Sequence, residues 1–144
     1  MRPTEQQIVE FLFSVDKLFP IPLSQKQNLV QYARKLEEKA TLCYELNENN
    51  QIISMVAGYT ENLLNNMAYI SLVATLPAYS GKGKATTLVQ EYIEICRKKR
   101  IVTVHLYAAP TNITAVHMYE KLGFQCKNIK NEVRPDDLHL FINI

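Results

Sequence analysis

The chain has 144 residues, of which 47% are apolar and 21% charged, proportions typical of one globular domain. Sixteen Lys and Arg residues against fourteen Asp and Glu residues give a net charge of +2, so the charge balance does not suggest nucleic acid or an anionic membrane as a partner. Three scattered cysteines predict neither a disulfide framework nor a metal site, and no apolar run is long enough for a signal peptide or a membrane span. We therefore expect a single cytoplasmic domain over residues 1–144 with no metal.

The first half of the chain predicts two helices followed by three strands. Apolar residues at three- and four-residue spacing indicate a first amphipathic helix, which Thr4 caps and the prolines Pro20 and Pro22 follow. Ser24 is the expected N-cap of the second helix, and a polar tetrad at 47–50 predicts the turn between the first two strands. The predicted elements are helices over 4–18 and 24–39 and strands over 40–47, 51–60 and 67–76.

The second half alternates helices and strands. Residues 101–108 are a nearly continuous apolar, β-branched run, which is typical of a central strand covered on both faces. The other predicted elements are helices over 84–99 and 112–121 and strands over 124–132 and 138–144. The order α-α-β-β-β-α-β-α-β-β predicts one mixed α/β domain, without a linker or an internal repeat.

Two of the four glycines lie in one loop, residues 77–85, which connects a predicted strand to a predicted helix. Backbone N–H groups at the start of a helix point outward, and the helix dipole favours an anion there. Small residues at 81, 83 and 85 would let a phosphate approach the backbone, and Lys82 and Lys84 add positive charge. The loop therefore indicates either a phosphate site or a plain strand–helix turn, and it matches neither a Walker loop nor a full GxGxxG motif.

A second cluster begins at Asn112, the expected N-cap of the helix over 112–121. Ala115 and Tyr119 lie four residues apart on one helix face, and Gly123 is the expected left-handed residue that ends the helix. Taken alone, this cluster predicts a well-capped short helix with Tyr119 in the core.

Together, the glycine loop and the pattern N-x-x-A-x-x-x-Y-x-K-x-G-F over 112–124 resemble the GCN5-related N-acetyltransferase (GNAT) superfamily. The resemblance covers residues 67–126 in motif detail and implies the GNAT fold, a central mixed β-sheet with helices on both faces. Two features depart from the family pattern. Ser80 stands where the family usually has Arg or Gln, and the family's first strand is missing because the helical pattern begins by Thr4.

The resemblance implies transfer of an acetyl group from acetyl-CoA to an amine by direct attack. In the family geometry, backbone amides of the glycine loop hold the CoA pyrophosphate, the backbone around Val73 and Thr75 binds the pantetheine arm, and Asn112 contacts the same arm. Tyr119 donates a proton to the departing thiolate, a role that suits a phenol with a pKa near 10. The implied loop residues are Gly81, Lys82, Gly83, Lys84, Ala85 and Thr86.

The residue that accepts the proton of the amine is less clearly indicated. Family members often place a Glu at one of two strand positions, which are Tyr69 and Tyr107 in this chain. Because side chains alternate along a strand, His105 lies on the same face as Tyr107 and is a candidate base at neutral pH. The alternatives are a core histidine at that position, water relayed through Tyr69, Ser71 and Tyr107, or Glu61. For His117 and His139 we expect no role.

The acceptor is expected to be a small primary amine, with an amino sugar as one candidate. The segment 13–32 would form its binding wall, with Phe13, Asp16, Phe19 and Tyr32 as candidate lining residues or as core. Two other hypotheses share the fold: a module that binds acyl-CoA without turnover, and a protein N-terminal or lysine acetyltransferase. A homodimer is compatible with all three.

Overall fold

The structure is a computed structural model that describes residues 2–61, 63–126 and 134–144. Single 3-10 turns at Asp16–Leu18 and Pro77–Tyr79 accompany the regular elements. The helices are α1 (Glu5–Val15), α2 (Leu23–Lys26), α3 (Leu29–Lys39), α4 (Lys84–Lys98) and α5 (Ile113–Leu122). The strands are β1 (Thr41–Leu46), β2 (Ile52–Tyr59), β3 (Met67–Thr75), β4 (Thr103–Ala108), β5 (Gln125–Cys126) and β6 (Leu138–Asn143).

The strands form one six-stranded sheet in the order β1-β2-β3-β4-β6-β5. Neighbouring strands are antiparallel except β3 and β4, which are parallel and joined through α4. The apolar faces of α1 and α3 cover one side of the sheet, while α4 and α5 cover the other. The predicted mixed α/β architecture with helices on both faces is confirmed. No helix within the described ranges has the length and apolar character needed to cross a membrane.

The N-terminal helices differ from the prediction in one respect. Thr4 and the Gln7 side chain form a capping box at the start of α1, as the capping pattern suggests. The predicted helix over 24–39 is instead two helices, because Gln27 is extended and the Asn28 side chain accepts the N–H of Gln31 to cap α3. Ser24 does not cap the long helix; its hydroxyl and backbone N–H both donate to the Asp16 carboxylate at 2.7 Å.

Strand β3 contains a bulge that changes which side of the sheet its side chains face. The adjacent residues Ala57 and Gly58 of β2 pair with Leu72 and Ile70 of β3. Ser71, which lies between these two, is therefore an extra residue of β3. Ile70 before the bulge packs with the α4 side of the core, whereas Leu72 after it packs with α1 and α3. The bulge therefore turns Leu72 to the side of α3, where the Ser71 hydroxyl is also hydrogen bonded to that of Tyr32.

Strands β3 and β4 pair only at one end. Their register runs from the Met67–Thr103 pair to the Tyr69–His105 pair, and beyond it the remaining halves of the strands border a cavity. One face of β4 is fully buried, but His105 and Tyr107 on the other face are half-buried, so the prediction of cover on both faces holds only in part. The predicted strand over 124–132 is seen as β5, and residues 127–132 lie outside the described part of the chain.

Candidate active site

A cavity of about 610 Å³ lies between the diverging ends of β3 and β4. Residues 70–75 of β3 and residues 106–109 at the end of β4 form two of its walls. The glycine loop and the start of α4 close one end, and the segment 18–23 lies along another side. The cavity exists because the two parallel strands stop pairing after Tyr69 and His105, which opens a wedge in the middle of the sheet.

The glycine loop takes a backbone conformation that favours glycine. Gly81 and Gly83 have φ angles of +77° and +75°, in the left-handed region, and Gly83 is the N-cap of α4. A Cβ at either position would meet no heavy atom within 4 Å, so the space beside this backbone is open. The first N–H groups of a helix have no acceptor within the helix, so the start of α4 presents donors to an anion.

Side chains of the loop shape its charge. Lys84 lines the cavity and forms an ion pair with Glu45 at 2.7 Å, and the Lys82 ammonium lies 5.9 Å from the ring centre of Tyr79. Ser80, where the family usually has Arg or Gln, donates its hydroxyl to the Pro77 carbonyl at 2.9 Å and so closes the preceding 3-10 turn. The departure at Ser80 therefore preserves the loop conformation.

The exposed side of β3 contributes mainly backbone to the cavity. Val73 and Thr75 both line it, and Val73 also packs against the core on the α4 side. The Thr75 hydroxyl is hydrogen bonded to the Ser54 hydroxyl at 2.7 Å, which directs that side chain toward β2. The peptide groups of this half of β3 therefore face the wedge without a pairing partner in β4.

The helix α5 brings Asn112 and Tyr119 to the opposite wall. The Asn112 side chain accepts the Ala115 N–H at 3.4 Å, and Gly123, with φ +107°, ends the helix as predicted. Tyr119 is only 7% exposed and its ring meets Phe124 edge-on at 5.7 Å. Within the described ranges its hydroxyl has no hydrogen-bond partner, and burial raises its pKa above the ordinary value, so the group stays protonated.

The half-buried face of the sheet carries a cluster of rings. Tyr69, His105 and Tyr107 lie there together, with centroids 5.1 to 6.2 Å apart. The Nδ1 of His105 is 2.9 Å from the Nε2 of His139, a residue for which the sequence suggested no role. Burial and the neighbouring His139 lower the pKa of His105 to about 4, so it is neutral at pH 7. Of the cluster, Tyr107 lines the cavity, whereas Tyr69 and His105 lie outside its lining.

Sequence reasoning missed two charged residues that reach the cavity. Arg134 and Asp137 belong to the turn before β6, where the Asp137 N–H donates to the Arg134 carbonyl at 3.0 Å, and both line the cavity. The guanidinium carbon of Arg134 is 5.5 Å from the ring centre of Tyr107. Residues of the types at Pro135, Asp136 and Asp137 are typical of a turn and by themselves indicate no site. The pairing of β6 with β4 brings this turn to the cavity.

The predicted acceptor wall is only partly where the sequence placed it. Phe19 lines the cavity, whereas Phe13 is 60% exposed and Asp16 is bonded to Ser24. Tyr32 is buried and hydrogen bonded to Ser71, which itself lines the cavity. Glu61 lies elsewhere, at a surface hollow that it shares with Thr60 and its ion-pair partner Lys99. No group of three or more His, Cys, Asp and Glu side chains among the described residues is arranged to hold a metal ion.

Comparison with known proteins assigns the chain to a family. A family model described as "Acetyltransferase (GNAT) family" matches residues 9–124. This range contains both the glycine loop and the helix from Asn112 to its end at Gly123. The chain therefore belongs to the GNAT acetyltransferase family, and the resemblance seen in the sequence is confirmed.

Three relatives show how far the similarity extends. The N-alpha-acetyltransferase 30 of Dictyostelium discoideum is 28% identical over 122 residues, which are 83% of this chain and 63% of that protein, so the chain spans less than two thirds of this relative. A GNAT-family acetyltransferase from Staphylococcus aureus Mu50 has a TM-score of 0.78 at 17% identity, covering 99% of this chain and 94% of that one. The PaiA N-acetyltransferase of Thermoplasma acidophilum, solved in complex with coenzyme A, has a TM-score of 0.72 at 15% identity, covering 99% and 97%. At these identities the two solved structures establish the shared fold.

Proposed function

We propose that the protein is an N-acetyltransferase that moves an acetyl group from acetyl-CoA to the primary amine of a small molecule by direct attack. One observation carries the proposal: a single cavity joins the glycine loop at one end to Tyr107 at another, with Tyr119 in its wall. A long ligand that binds through its phosphates at the loop would bring its reactive end to the tyrosines. Membership in the GNAT family supports the same activity.

The residues along the cavity fit coenzyme A in chemical type. The backbone amides of residues 81–86 would bind the pyrophosphate, since the loop has open space beside it and leads into α4. The unpaired peptide groups around Val73 and Thr75 would bind the pantetheine arm in the manner of an added strand, and Asn112 faces that arm. Acetyl-CoA supplies the acetyl group as a thioester. The peptide N–H groups of β3 would also stabilise negative charge on the carbonyl oxygen.

Tyr119 is the proposed general acid. The new C–N bond forms as the C–S bond breaks, and the Tyr119 hydroxyl gives its proton to the sulfur and recovers one from solvent. Its buried hydroxyl is neutral at working pH, because burial raises the pKa, and within the described ranges no protein acceptor competes for the proton. These properties support a donor that acts when the thiolate departs.

For the proton of the amine we propose Asp137, acting through water held by Ser71 and Tyr107. An alkylamine with a pKa near 10 is about one part in a thousand neutral at pH 7, so removal of a proton is part of the reaction. All three residues line the cavity. A carboxylate there also stabilises the positive charge that develops on nitrogen during attack. His105 has the weaker case because it lies outside the cavity lining, whereas Asp137 is part of it.

A second candidate is the acetylation of protein N-termini. The similarity to the Dictyostelium N-alpha-acetyltransferase supports it, although the chain spans only 63% of that protein. A third hypothesis is that the protein binds acyl-CoA without turnover. It is supported by the absence of Glu at positions 69 and 107.

One assay separates the three hypotheses. Thiol release from acetyl-CoA is measured with a panel of small primary amines and with short peptides that have free N-termini. Turnover with small amines supports the proposal, and faster turnover with the peptides overturns it in favour of the second candidate. Tight acetyl-CoA binding without release of thiol on any acceptor would establish the binding module.

A further inference from the structure

The end of the cavity at Tyr107 collects hydrogen-bond donors. Arg134 lies over the Tyr107 ring, with its guanidinium carbon 5.5 Å from the ring centre. The ring of Tyr69, on the adjacent strand, meets Tyr107 edge-on with centroids 6.0 Å apart. Two phenol hydroxyls and one guanidinium, which itself carries five N–H donors, thus belong to one cluster. We name these three residues the donor cluster.

Among the residues that the structure describes, the hydroxyls of Tyr69 and Tyr107 have no hydrogen-bond partner. In the described part of the chain, no side chain or carbonyl accepts a hydrogen bond from the hydroxyl of Tyr69 or Tyr107. Burial raises the pKa of Tyr69, and the charge of Arg134 opposes that rise only in part, so the phenol is a donor at neutral pH. A guanidinium can serve several acceptors at once, so a ligand can contact Arg134 whatever protein groups it also meets. Such a cluster is suited to bind an anion.

The charges around the cavity favour the same kind of ligand. Its lining includes the cations Lys26, Lys84 and Arg134 against one described carboxylate, that of Asp137. Lys84 is paired with Glu45 at 2.7 Å, and the lining also includes Lys26, Arg134 and Asp137. An acceptor with both an ammonium group and an anionic group matches this mixture of charges.

We infer that the acceptor is an amino-acid-like molecule, a primary amine that bears a nearby carboxylate, and that Arg134 and Tyr107 bind the carboxylate while Asp137 faces the amine. The inference rests on the proposed N-acetyltransferase function and narrows its substrate class. It also opposes the second candidate function, because the first residue of a protein has its carboxyl group in a peptide bond. A planar guanidinium with flanking hydroxyls is a frequent partner of a carboxylate.

The test compares matched acceptors that differ only at the carboxyl group. Thiol release from acetyl-CoA is measured for a panel of free amino acids and for the corresponding carboxamides. A charged hydrogen-bonded pair contributes about 1.5–3 kcal/mol, so kcat/KM for the best acid is expected to exceed that of its amide by about 10- to 100-fold. Arg134→Met should bring this acid-to-amide ratio to within about threefold of one, and Arg134→Lys and Tyr107→Phe should give intermediate ratios.

Arg97→Met is the matched control. Arg97 lies on α4, half-exposed in an ion pair with Glu94 at 3.2 Å, and its loss should leave the ratio unchanged. Equal or faster turnover of the carboxamides by the parent protein would overturn the inference while retaining the proposed function. An acid-to-amide ratio of kcat/KM that is unchanged in Arg134→Met would also overturn the inference, because the preference for the carboxylate would then arise from other residues. Failure to acetylate any member of this panel would overturn the inference alone, and failure with the wider panel of small primary amines as well would overturn the proposed function.

Discussion

The hydroxyl groups of Tyr32 and Ser71 lie 2.5 Å apart and connect α3 to the bulge of β3. Tyr32 is only 5% exposed, and burial raises its pKa, so its hydroxyl remains protonated in this bond. Ser71 lines the cavity at the point where β3 leaves β4. The N-terminal helices therefore help to hold the strand whose divergence creates the site.

Tyr32→Phe is expected to loosen this connection. Loss of the hydroxyl leaves Ser71 without its partner in a half-buried place and should lower the free energy of unfolding by about 1–2 kcal/mol. Urea unfolding of Tyr32→Phe, Ser71→Ala and the double variant measures the coupling. We expect the two changes to be non-additive by about 1 kcal/mol. Strictly additive losses would mean that the bond contributes nothing to stability.

Tyr119→Phe tests the proposed general acid. Phe keeps the ring that packs on Phe124 and removes the hydroxyl, so kcat should fall by about 100- to 10,000-fold while the Kd for acetyl-CoA stays within about threefold. Because the hydroxyl has no described protein partner, thermal unfolding should be nearly unchanged. Parental turnover with intact binding would return Tyr119 to a purely structural role.

Gly83→Ala and Gly123→Ala form a matched pair for the glycine loop. Both residues have positive φ, so each Ala variant should lose about 1–2 kcal/mol of stability. Only at Gly83 does the new methyl group enter the open space beside the loop, so only that variant should bind acetyl-CoA more weakly, by at least about tenfold. Calorimetric titration with acetyl-CoA measures the difference. Equal affinities of the two variants would rule out the loop as the phosphate site.

Asp137→Asn and His105→Gln separate the two candidate proton acceptors. Asp137 lines the cavity, whereas His105 lies outside its lining. We therefore expect Asp137→Asn to lower kcat/KM by about 100-fold or more, and His105→Gln by less than about tenfold. Both are measured at saturating acetyl-CoA across pH 6 to 9. The reverse order of effects would restore His105 as the base.

The lowered pKa of His105 predicts how stability depends on pH. Its folded pKa of about 4 lies below the ordinary value of 6.5, so the unfolded chain takes up a proton first as the pH falls. This residue's contribution is complete above about pH 6.5 and is lost as the pH falls toward 4. The ring is partly exposed, so the loss should be about 1–2 kcal/mol.

Urea unfolding at pH 7 and pH 4.5 measures this loss in the parent and in His105→Gln. The variant should show a smaller decrease, because it has no imidazole to protonate beside His139. The other rings around His105 are those of Tyr69, Tyr107 and Phe141. An identical decrease in both proteins would assign the effect to other groups.

Local patterns in the sequence determined the elements of the fold and half of the site. The glycine loop, the cap at Asn112, the end of α5 at Gly123 and the buried position of Tyr119 all follow from backbone geometry within one short segment. Such features depend on residues only a few positions away in the sequence, so they can be predicted from the sequence alone. The pattern also predicted the mixed sheet with helices on both faces.

Only the tertiary structure determined which side chains lie at the acceptor end of the cavity. The break at Gln27, the bulge at Ser71, the contact of His105 with His139 and the arrival of Arg134 and Asp137 at Tyr107 depend on the register between distant strands and helices. A shift of one residue in β4 or β6 would turn His105 or His139 to the other face of the sheet. Because many packing contacts across the core set that register, the acceptor end of the site could not be derived from the spacing of residues along the chain.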